Sequence, residues 1–213
     1  MRVTKLVHSC LLVDHEGRVV LIDPGQWSWE SGLVAPGTIH QLDEIVITHE
    51  HADHFHLPFV QSLVTQFPKV KIITTDIVKR QLVEAGINNA TTESSQLVHV
   101  DAITHESMEP LAPPPNPNLV ANVFGMLTHP GDSHHPTRSE SILCIPLAGP
   151  WGATIEAVRM AERLGPHIIL PIHDWMWNAQ WKSSMYDRLE AHFTQTGRQF
   201  IKLQDGVPTE LTV

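Results

Sequence analysis

The sequence predicts an α/β protein in which two mixed β-sheets pack face to face and helices cover their outer sides. Short runs rich in β-branched residues fill the first quarter of the chain, which indicates strands. Further along, strand-like runs alternate with runs of helical apolar spacing, as in α/β proteins. The apolar content of 42% and the charged content of 17% are those of a globular protein. At 213 residues the chain is expected to form one domain, residues 1–213.

The first half of the chain begins with strands and then alternates. We expect strands at RVTKLVH, SCLLVDH and RVVLID, and Gly17 supplies the hairpin turn between the last two. DPGQWSWESG is rich in turn formers and is a predicted loop. DEIVIT predicts a buried strand, and LPFVQSLVTQFP predicts a helix that ends at Pro68. VKIITT is again a strand, and DIVKRQLVEAG predicts a helix that stops at Gly86.

The second half begins with three strand-like runs, QLVHVDAITH, LVANVFGMLTH and SESILCIPL. Between the first two, EPLAPPPNPN (109–118) is predicted to be an exposed loop, because its prolines cannot join a central sheet. The helix GATIEAVRMAERLG, the strand HIILPIH, a helix around WKSSMYDRLEAHFTQTG and a final strand RQFIKLQ follow. We expect the functional side chains on loops at strand ends along one edge of this fold.

Charge and cysteine content limit the classes of function. The chain has 14 basic and 23 acidic side chains, and its net charge of −9 argues against a nucleic acid as the main partner. Cys10 and Cys144 lie in apolar runs and are expected to be buried without a disulfide. We find no signal-peptide pattern at the start and no apolar run of the roughly 20 residues that a bilayer requires. A cytoplasmic protein without a membrane partner is therefore expected.

A dense group of histidines follows the strand DEIVIT, in the stretch THEHADH. His49 and His51 are two residues apart, so in an extended segment both side chains point the same way and can bind one cation. Asp53 and His54 follow the small residue Ala52 and can face a second cation beside the first. A His-rich loop without metal is the alternative, but it does not predict this order of residues at a strand end. Imidazole and carboxylate ligands suit Zn²⁺, Mn²⁺ or Fe²⁺.

Two coordination spheres need further ligands from other strand ends. His105 ends the run DAITH, and the neighbouring His99 is an alternative to it. Asp132 follows Gly131 in MLTHPGDSHH, and His173 ends IILPIH. Each of these polar residues comes after an apolar strand, which is where an α/β fold places functional side chains.

The set of H-x-H-x-D-H, a later histidine, Gly-Asp-Ser and Pro-Ile-His resembles the metallo-β-lactamase superfamily. Within it, the chain is most similar to the small single-domain hydrolases that include the L-ascorbate-6-phosphate lactonase-like group. The likeness runs from HSCLLVDHEGRVVLIDPG to LPIHDW and so covers most of the chain. It implies a four-layer αβ/βα sandwich with a dinuclear metal site in the cleft between the sheets.

The resemblance also implies a ligand set for two divalent ions, with zinc expected first and manganese or iron as alternatives. The implied ligands are His49, His51 and His105 for one ion, Asp53, His54 and His173 for the other, and Asp132 as the bridge. Two close cations can share a water, lower its pKa and present it as hydroxide to an electrophilic carbon or phosphorus. Asp53 is expected to carry a proton during turnover. His134, just past Gly-Asp-Ser, is expected to contact the substrate or act as the acid for the leaving group, and a solvated loop histidine is the equal alternative.

Four other side chains have two interpretations each. Asp23 in LIDPG could orient a ligand imidazole or form a turn, and His8 is most simply a core or edge histidine. Trp175 is the strongest candidate for an aromatic wall of the pocket, with loop packing as an equal alternative. Arg138 could engage an anionic substrate group or pair with an acid at the surface. The other tryptophans considered for the wall are Trp27, Trp29 and Trp177.

The expected function is a metal-dependent hydrolase that uses a metal-bound hydroxide on a small ester, lactone or phosphate ester. Its expected partner is therefore a small-molecule substrate. Nuclease or phosphodiesterase action is an alternative that the acidic charge opposes, and a mononuclear iron dioxygenase on the same fold is another. Loops 26–37, 106–118 and 174–181 are expected to shape the pocket. The proline-rich loop and the tryptophans could also form a contact in a homo-oligomer.

Overall fold

The structure is a computed structural model that describes residues 1–33, 37–112 and 116–212. The first seven strands are β1 Arg2–Lys5, β2 Leu11–His15, β3 Arg18–Ile22, β4 Glu44–Ile47, β5 Lys71–Thr74, β6 Ala90–Thr91 and β7 Val98–Thr104. The remaining strands are β8 Pro117–Val123, β9 Leu127–His129, β10 Ile142–Pro146, β11 Ile168–Ile172, β12 Gln199–Phe200 and β13 Thr209–Glu210. The helices are α1 Gln26–Glu30, α2 Leu57–Gln66, α3 Asp76–Glu84, α4 Thr154–Leu164 and α5 Ala179–Gln195.

These strands form two mixed sheets. The first sheet has the order β13-β1-β2-β3-β4-β5-β6, and the second has the order β12-β11-β10-β9-β8-β7. The strands β1, β2 and β3 pair antiparallel, and the predicted hairpin turn places Glu16 and Gly17 at positive φ. The pairs from β3 to β6 are parallel, because α2 and α3 each carry the chain back across the sheet.

The two sheets pack against each other through a central apolar core, and helices cover their outer faces. Successive residues of a strand point to opposite faces, so alternate positions enter different cores. Val20 and Ile22 of β3 face the core between the sheets together with Leu170 of β11, whereas Leu21 faces the outer core. The first outer core also contains side chains of α2 and α3, and the second contains side chains of α4 and α5. This arrangement confirms the predicted α/β class and its four layers.

Two predicted elements differ from the structure. The stretch predicted as a loop contains the short helix α1, because Trp29 packs on Phe59 of α2 and its main-chain N–H donates to the Gly25 carbonyl. The run LVANVFGMLTH was predicted as one strand but is the pair β8 and β9. Phe124 and Gly125 both have positive φ there and reverse the chain, so Val123 pairs with Leu127.

Other sequence predictions concern smaller features. Cys10 and Cys144 are buried and free, as predicted. The predicted final strand is shorter than expected, because only Gln199–Phe200 pairs with β11. In the proline-rich loop, residues 113–115 lie outside the described residues. Across the described part of the chain, no helix has both the length and the apolar character needed to cross a bilayer.

A buried ion-pair network lies behind the end of β11. The Lys5 side chain is fully buried, and its Nζ donates to Asp174 Oδ1 at 2.6 Å. Tyr186 Oη donates to the other carboxylate oxygen of Asp174, and Lys182 Nζ lies 3.2 Å from that oxygen. Burial alone would raise the pKa of Asp174, but Lys5 and Lys182 lower it to about 2. The network therefore ties β1 and α5 to the residue that directly follows His173.

We predict that Asp174→Asn destabilises the protein by about 3–5 kcal/mol, because it removes the nearer counter-charge of the buried Lys5 ammonium and leaves only the more distant Asp205, at 3.9 Å. The folded-state pKa of Asp174 is depressed to about 2, so its contribution is present above the unfolded pKa of about 3.9 and is lost as the pH falls toward 2. Urea unfolding of the two proteins at pH 7 and at lower pH measures both effects. Asp101→Asn, which removes an exposed partner of Arg138, is the control and should cost less than about 1 kcal/mol. Equal losses in the two variants would contradict the prediction.

Candidate metal centre

The candidate site lies where several strands end along one edge of the sandwich. The H-x-H-x-D-H stretch follows β4 and leads into α2. His105 comes directly after β7 and His173 directly after β11, while Asp132 lies three residues beyond β9. Strand ends on one edge bring residues that are distant in sequence into one cavity. The structure thus brings together all seven ligands that the sequence analysis proposed, in two groups of potential ligand atoms.

The first cluster consists of His49, His51, His105 and Asp132, whose potential ligand atoms all lie within 4.8 Å of one another. Asp132 Oδ2 is 3.8 Å from His49 Nε2 and 3.3 Å from His105 Nε2. The His51 ring centroid lies 4.7 Å from the ring centroids of both His49 and His105. The two-residue spacing of the motif therefore places both imidazoles on one side of the segment, as predicted. His99, the alternative to His105, is exposed beside Asp101 and is not part of the cluster.

The second cluster consists of His8, Asp53, His54 and His173, whose potential ligand atoms also lie within 4.8 Å of one another. Asp53 Oδ2 is 3.6 Å from His54 Nε2, 3.4 Å from His173 Nε2 and 3.2 Å from His8 Nε2. Three of these residues belong to the proposed set, and His8 is an addition to it.

Asp132 connects the two clusters. Besides its contacts with the first cluster, its Oδ1 lies 3.1 Å from His54 Nε2 and its Oδ2 lies 3.1 Å from His173 Nε2. The side chain is 1% exposed, and the carboxylate therefore contacts imidazoles of both clusters without access to water. A shared carboxylate in this position is the arrangement that a bridging ligand requires.

Five potential ligand atoms of the two clusters have no hydrogen-bond partner. Among the described residues, the unpartnered buried atoms include the Nε2 atoms of His49, His54, His105 and His173 and the Oδ1 atom of Asp132. A buried polar atom without a partner is costly, and five such atoms around one cavity indicate a missing ligand. Nitrogen and carboxylate oxygen are donors that Zn²⁺, Mn²⁺ and Fe²⁺ accept, so these residues fit divalent cations.

In four of the cluster imidazoles the other ring nitrogen, Nδ1, is hydrogen-bonded, which directs Nε2 toward the cavity. Nδ1 of His173 donates to the Ala148 carbonyl, and Nδ1 of His105 donates to the Glu106 carbonyl at 2.6 Å. Because a carbonyl can only accept, Nδ1 carries a proton in both rings, and Nε2 is the nitrogen left to bind a cation.

Asp23 fixes two further imidazoles. Its Oδ2 accepts from His54 Nδ1 at 2.7 Å and from Thr48 Oγ1 at 2.9 Å. Since the Thr48 hydroxyl donates to Asp23, it accepts from His49 Nδ1 at 3.0 Å. Asp23 is fully buried and has a φ of +48°, a left-handed conformation that a side chain other than glycine rarely adopts. Of the two interpretations of Asp23, the structure supports the one in which its carboxylate orients a cluster imidazole.

The charges of the clusters balance one another. Burial alone would raise the pKa of Asp132, but His173 and His54 hold it well below its usual range. Burial would likewise lower the pKa of His173, yet Asp132 and Asp53 raise it to about 9. The pKa of His49 is lowered well below its usual value by burial and by the nearby His54. The carboxylates are therefore ionised at neutral pH, which is the form that binds cations.

His8 donates a hydrogen bond to the Asp53 carboxylate, so it orients a proposed ligand and its Nε2 is not free to bind a cation. Its Nδ1 accepts a hydrogen bond from the Trp175 main-chain N–H at 3.4 Å, so in the neutral ring the proton lies on Nε2. Nε2 then donates to Asp53 Oδ2 at 3.2 Å. Burial and the adjacent His173 lower the pKa of His8 to about 4, which keeps the ring neutral at pH 7. The sequence analysis treated His8 as a core or edge histidine, and its contact with Asp53 was missed.

Several other candidate residues lie outside the two clusters. His134 is buried, its Nε2 donates to the Pro146 carbonyl at 3.1 Å, and its Nδ1 lies 3.3 Å from Glu106. Arg138 pairs with Asp101 at 3.0 Å on the exposed surface. Trp175 is 44% exposed, and its main-chain N–H donates a hydrogen bond to His8 of the second cluster.

Trp151, which the sequence analysis did not consider, lies against the clusters. Its ring centroid is 5.1 Å from that of His173 and 5.8 Å from that of His105. The signal for it is a Gly-Pro-Trp-Gly turn between a buried strand and a helix, which places a large side chain on a loop at the functional edge.

We predict that Gly25→Ala weakens binding of the ion at the second cluster by about tenfold or more, because a Cβ at Gly25 would overlap the main-chain carbonyl of Asp53. The backbone around Asp53 and His54 must then shift, which displaces two proposed ligands. Isothermal titration of the metal-free protein with Zn²⁺ measures this loss. Gly17→Ala is the matched control, since a Cβ there has no atom within 4 Å and the strain of its left-handed backbone affects only stability. Unchanged zinc binding in Gly25→Ala would contradict the prediction.

Comparison with known proteins supports this assignment of the fold and family. Protein Rv0786c of Mycobacterium tuberculosis is 26% identical over an alignment of 221 positions, which covers 97% of this chain and 99% of the relative. A solved structure named as a metal-dependent hydrolase from Parabacteroides distasonis matches with a TM-score of 0.71 and 19% identity, over 95% of this chain and 93% of that one. Igni18, described as a metallo hydrolase from Ignicoccus hospitalis, matches with a TM-score of 0.66 and 16% identity, over 99% of both chains.

The family described as Beta-lactamase superfamily domain matches residues 2–173, a range that contains both clusters. The match includes the H-x-H-x-D-H stretch as well as His105, Asp132 and His173. Because it covers most of the sequence, the chain belongs to the β-lactamase superfamily.

Proposed function

We propose that the protein is a metal-dependent hydrolase that acts on a small ester or lactone. The observation that carries the proposal is the pair of clusters that share Asp132, with four buried Nε2 atoms and one carboxylate oxygen left without partners. The names of the solved structures with this fold, which include metal-dependent and metallo hydrolases, agree with it. We further propose that residues 1–213 form one domain, that zinc is the resident metal, and that the lactonase-like group is the nearest subfamily.

The first cluster would hold one ion and the second cluster the other, with Asp132 between them. Bound cations at such a site supply Lewis acidity, which lowers the pKa of a water and polarises the oxygen of the substrate. Hydrolysis of an ester adds the water oxygen to the carbonyl carbon and breaks the carbon–oxygen bond to the alcohol. One proton of the water must reach the departing alcohol oxygen, and the other leaves as the acid product ionises.

Asp53 is placed to hold the proton in transit. It is the partly exposed carboxylate of the site, with a side chain 20% exposed, whereas Asp132 is enclosed. Its Oδ2 is held by the His8 N–H, which fixes the orientation of the carboxylate. His134 stays our proposed acid for the leaving group, and it would first have to exchange its hydrogen bond with the Pro146 carbonyl.

The described site fits carboxylic esters and lactones better than phosphate esters. Within 4 Å, the carboxylates of Asp53 and Asp132 have histidines as their only cationic partners among the described residues. Arg138, which could have bound an anionic group, pairs with Asp101 instead. A phosphate ester would therefore depend on the metal ions alone for recognition of its charge.

The experiment is a screen of the zinc-loaded protein against lactones, carboxylic esters, thioesters and phosphodiesters, with the metal-free protein as control. We expect hydrolysis of a carboxylic ester or lactone that disappears on metal removal and returns with Zn²⁺. His51→Ala should lose the ion of the first cluster and at least about 100-fold in kcat/KM, while circular dichroism shows a folded chain. Full metal content with unchanged turnover in this variant would contradict the proposal. Oxygen consumption by an iron-loaded protein that hydrolyses nothing would favour a dioxygenase instead.

We predict that His8→Ala keeps two ions per chain but weakens the binding of one of them by about 10–100-fold, because His8 orients a ligand rather than serving as one. His8→Asn, whose amide can still donate to Asp53, should recover part of the affinity. Metal analysis after dialysis and zinc titration of both variants give the stoichiometry and the affinities. If His8→Ala holds a single ion at saturating zinc, His8 is itself a ligand and this assignment is wrong.

A further inference from the structure

The loop between β10 and α4 places an aromatic ring over both metal clusters. The Trp151 ring lies 5.8 Å from the ring of His105 in the first cluster and 5.1 Å from that of His173 in the second. It lies 5.5 Å from the ring of His134, which stands beside the site. The indole is half-buried, so part of its surface remains open to solvent. Any molecule that reaches the clusters from this side meets Trp151.

Two glycines in the loop leave the space that the Trp151 indole and the His134 ring occupy. Gly149 and Gly152 form an isolated bridge across the turn that carries Trp151. A Cβ at Gly149 would lie 2.5 Å from the indole Cε2, and a Cβ at Gly152 would lie 2.7 Å from the His134 ring. Neither position has room for a side chain, so the two glycines allow the loop to fold back tightly. Packing against Gly149 and His134 limits the rotation of the indole.

The same loop also contacts a cluster residue directly. The carbonyl of Ala148 accepts from Nδ1 of His173, and the main-chain N–H of Ala148 donates to the His173 carbonyl at 3.1 Å. Two hydrogen bonds therefore join His173 to Ala148, which lies three residues before Trp151 in the same loop.

The other tryptophans do not occupy an equivalent position in the described part of the chain. Trp27 contacts the ring of His8, and Trp29 packs on His56 and Phe59. Trp175 and Trp181 have exposed side chains, and Trp177 packs against the outer core beside α4 and α5. Trp151 therefore differs from them in contacting imidazoles of both clusters.

Two cationic side chains that contact neighbours of the site are engaged by other groups. Arg163 donates to the main-chain carbonyls of Pro136 and His134. Lys182 lies between Asp174 and Asp205, at 3.2 and 3.5 Å. On this side of the site, the part of a substrate that does not react meets an aromatic face, which favours an apolar carbon group over an anionic one.

We propose that Trp151 is a specificity-determining residue that contacts the apolar acyl group of a carboxylic ester, thioester or lactone beside the bond that is cleaved. The inference rests on the proposed hydrolase function and deepens it by naming the substrate class. Each methylene of the acyl chain that leaves water against the indole strengthens binding by about fourfold. Longer acyl groups should accordingly be preferred over acetyl groups and over phosphate.

The test compares p-nitrophenyl acetate, p-nitrophenyl hexanoate and p-nitrophenyl phosphate with the zinc-loaded protein. We expect Trp151→Ala to lower kcat/KM for the hexanoate about 10-fold to 100-fold, mainly through KM, and to change the acetate by less than about threefold. Trp151→Phe should restore most of the preference for the hexanoate. Trp181→Ala, which removes an exposed indole away from the clusters, is the matched control and should behave as the unmodified protein. Equal losses for acetate and hexanoate, or a preference for the phosphate, would overturn the proposal.

A binding measurement separates this inference from the proposed function. Calorimetric titration with hexanoate and with acetate requires no turnover, and metal content is measured on the same samples. We expect hexanoate to bind at least about tenfold more tightly than acetate, and Trp151→Ala to remove the difference without loss of metal. If hexanoate selectivity depends on Trp151 but no ester is hydrolysed, the proposed function fails and the binding role stands. If esters are hydrolysed but Trp151→Ala leaves the selectivity unchanged, the role of Trp151 is wrong.

Discussion

The arrangement of the site depends on one buried carboxylate, that of Asp132. It is almost entirely withdrawn from water, and four imidazoles from the two clusters lie within 4 Å of its oxygens. Burying a charge is costly unless opposite charge or hydrogen bonds compensate. In the absence of a cation, His54 and His173 compensate by holding protons, which is why their pKa values are raised. The same carboxylate that draws protons to these rings would draw divalent cations in their place.

The fold places these imidazoles around Asp132 by hydrogen bonding to the ring nitrogen, Nδ1, that faces away from the carboxylate. Asp23 and the carbonyls of Glu106 and Ala148 accept from the Nδ1 atoms, so the Nε2 atoms converge on Asp132. These supports come from the ends of different strands. Several require unusual backbone, since Asp23, His8 and His173 all have positive φ. Strain of this kind persists only where the surrounding structure imposes it. The buried Lys5–Asp174 pair, which anchors the residue after His173, is one such restraint.

The sequence predicts the proposed ligands and most of the strands and helices, but it misses the features of the site that depend on tertiary contacts. The spacing of His49 and His51 and the placement of later polar residues at strand ends point to one shared site, and the family resemblance implies the full set of seven ligands, which the structure brings together. The turn at Phe124 and Gly125 was missed, since a left-handed Phe has no signature in composition. His8 and Trp151 were missed as members of the site because each reaches it through backbone conformations of its own loop. A single histidine or tryptophan in a sequence does not reveal such a contact.

The two clusters are not equivalent, and the difference has a chemical consequence. The first cluster has three imidazoles and only the shared Asp132 as its anion, whereas the second has a carboxylate of its own in Asp53. Asp53 is also the more accessible of the two carboxylates and accepts the His8 N–H on the oxygen that faces His54 and His173. A hydrogen bond to a carboxylate oxygen stabilises its ionised form and weakens its attraction for a proton. The second cluster therefore combines the stronger electrostatic attraction for a cation with a carboxylate that can release a proton readily. The first cluster, whose only carboxylate is the shared Asp132, would be better suited to polarising the substrate oxygen.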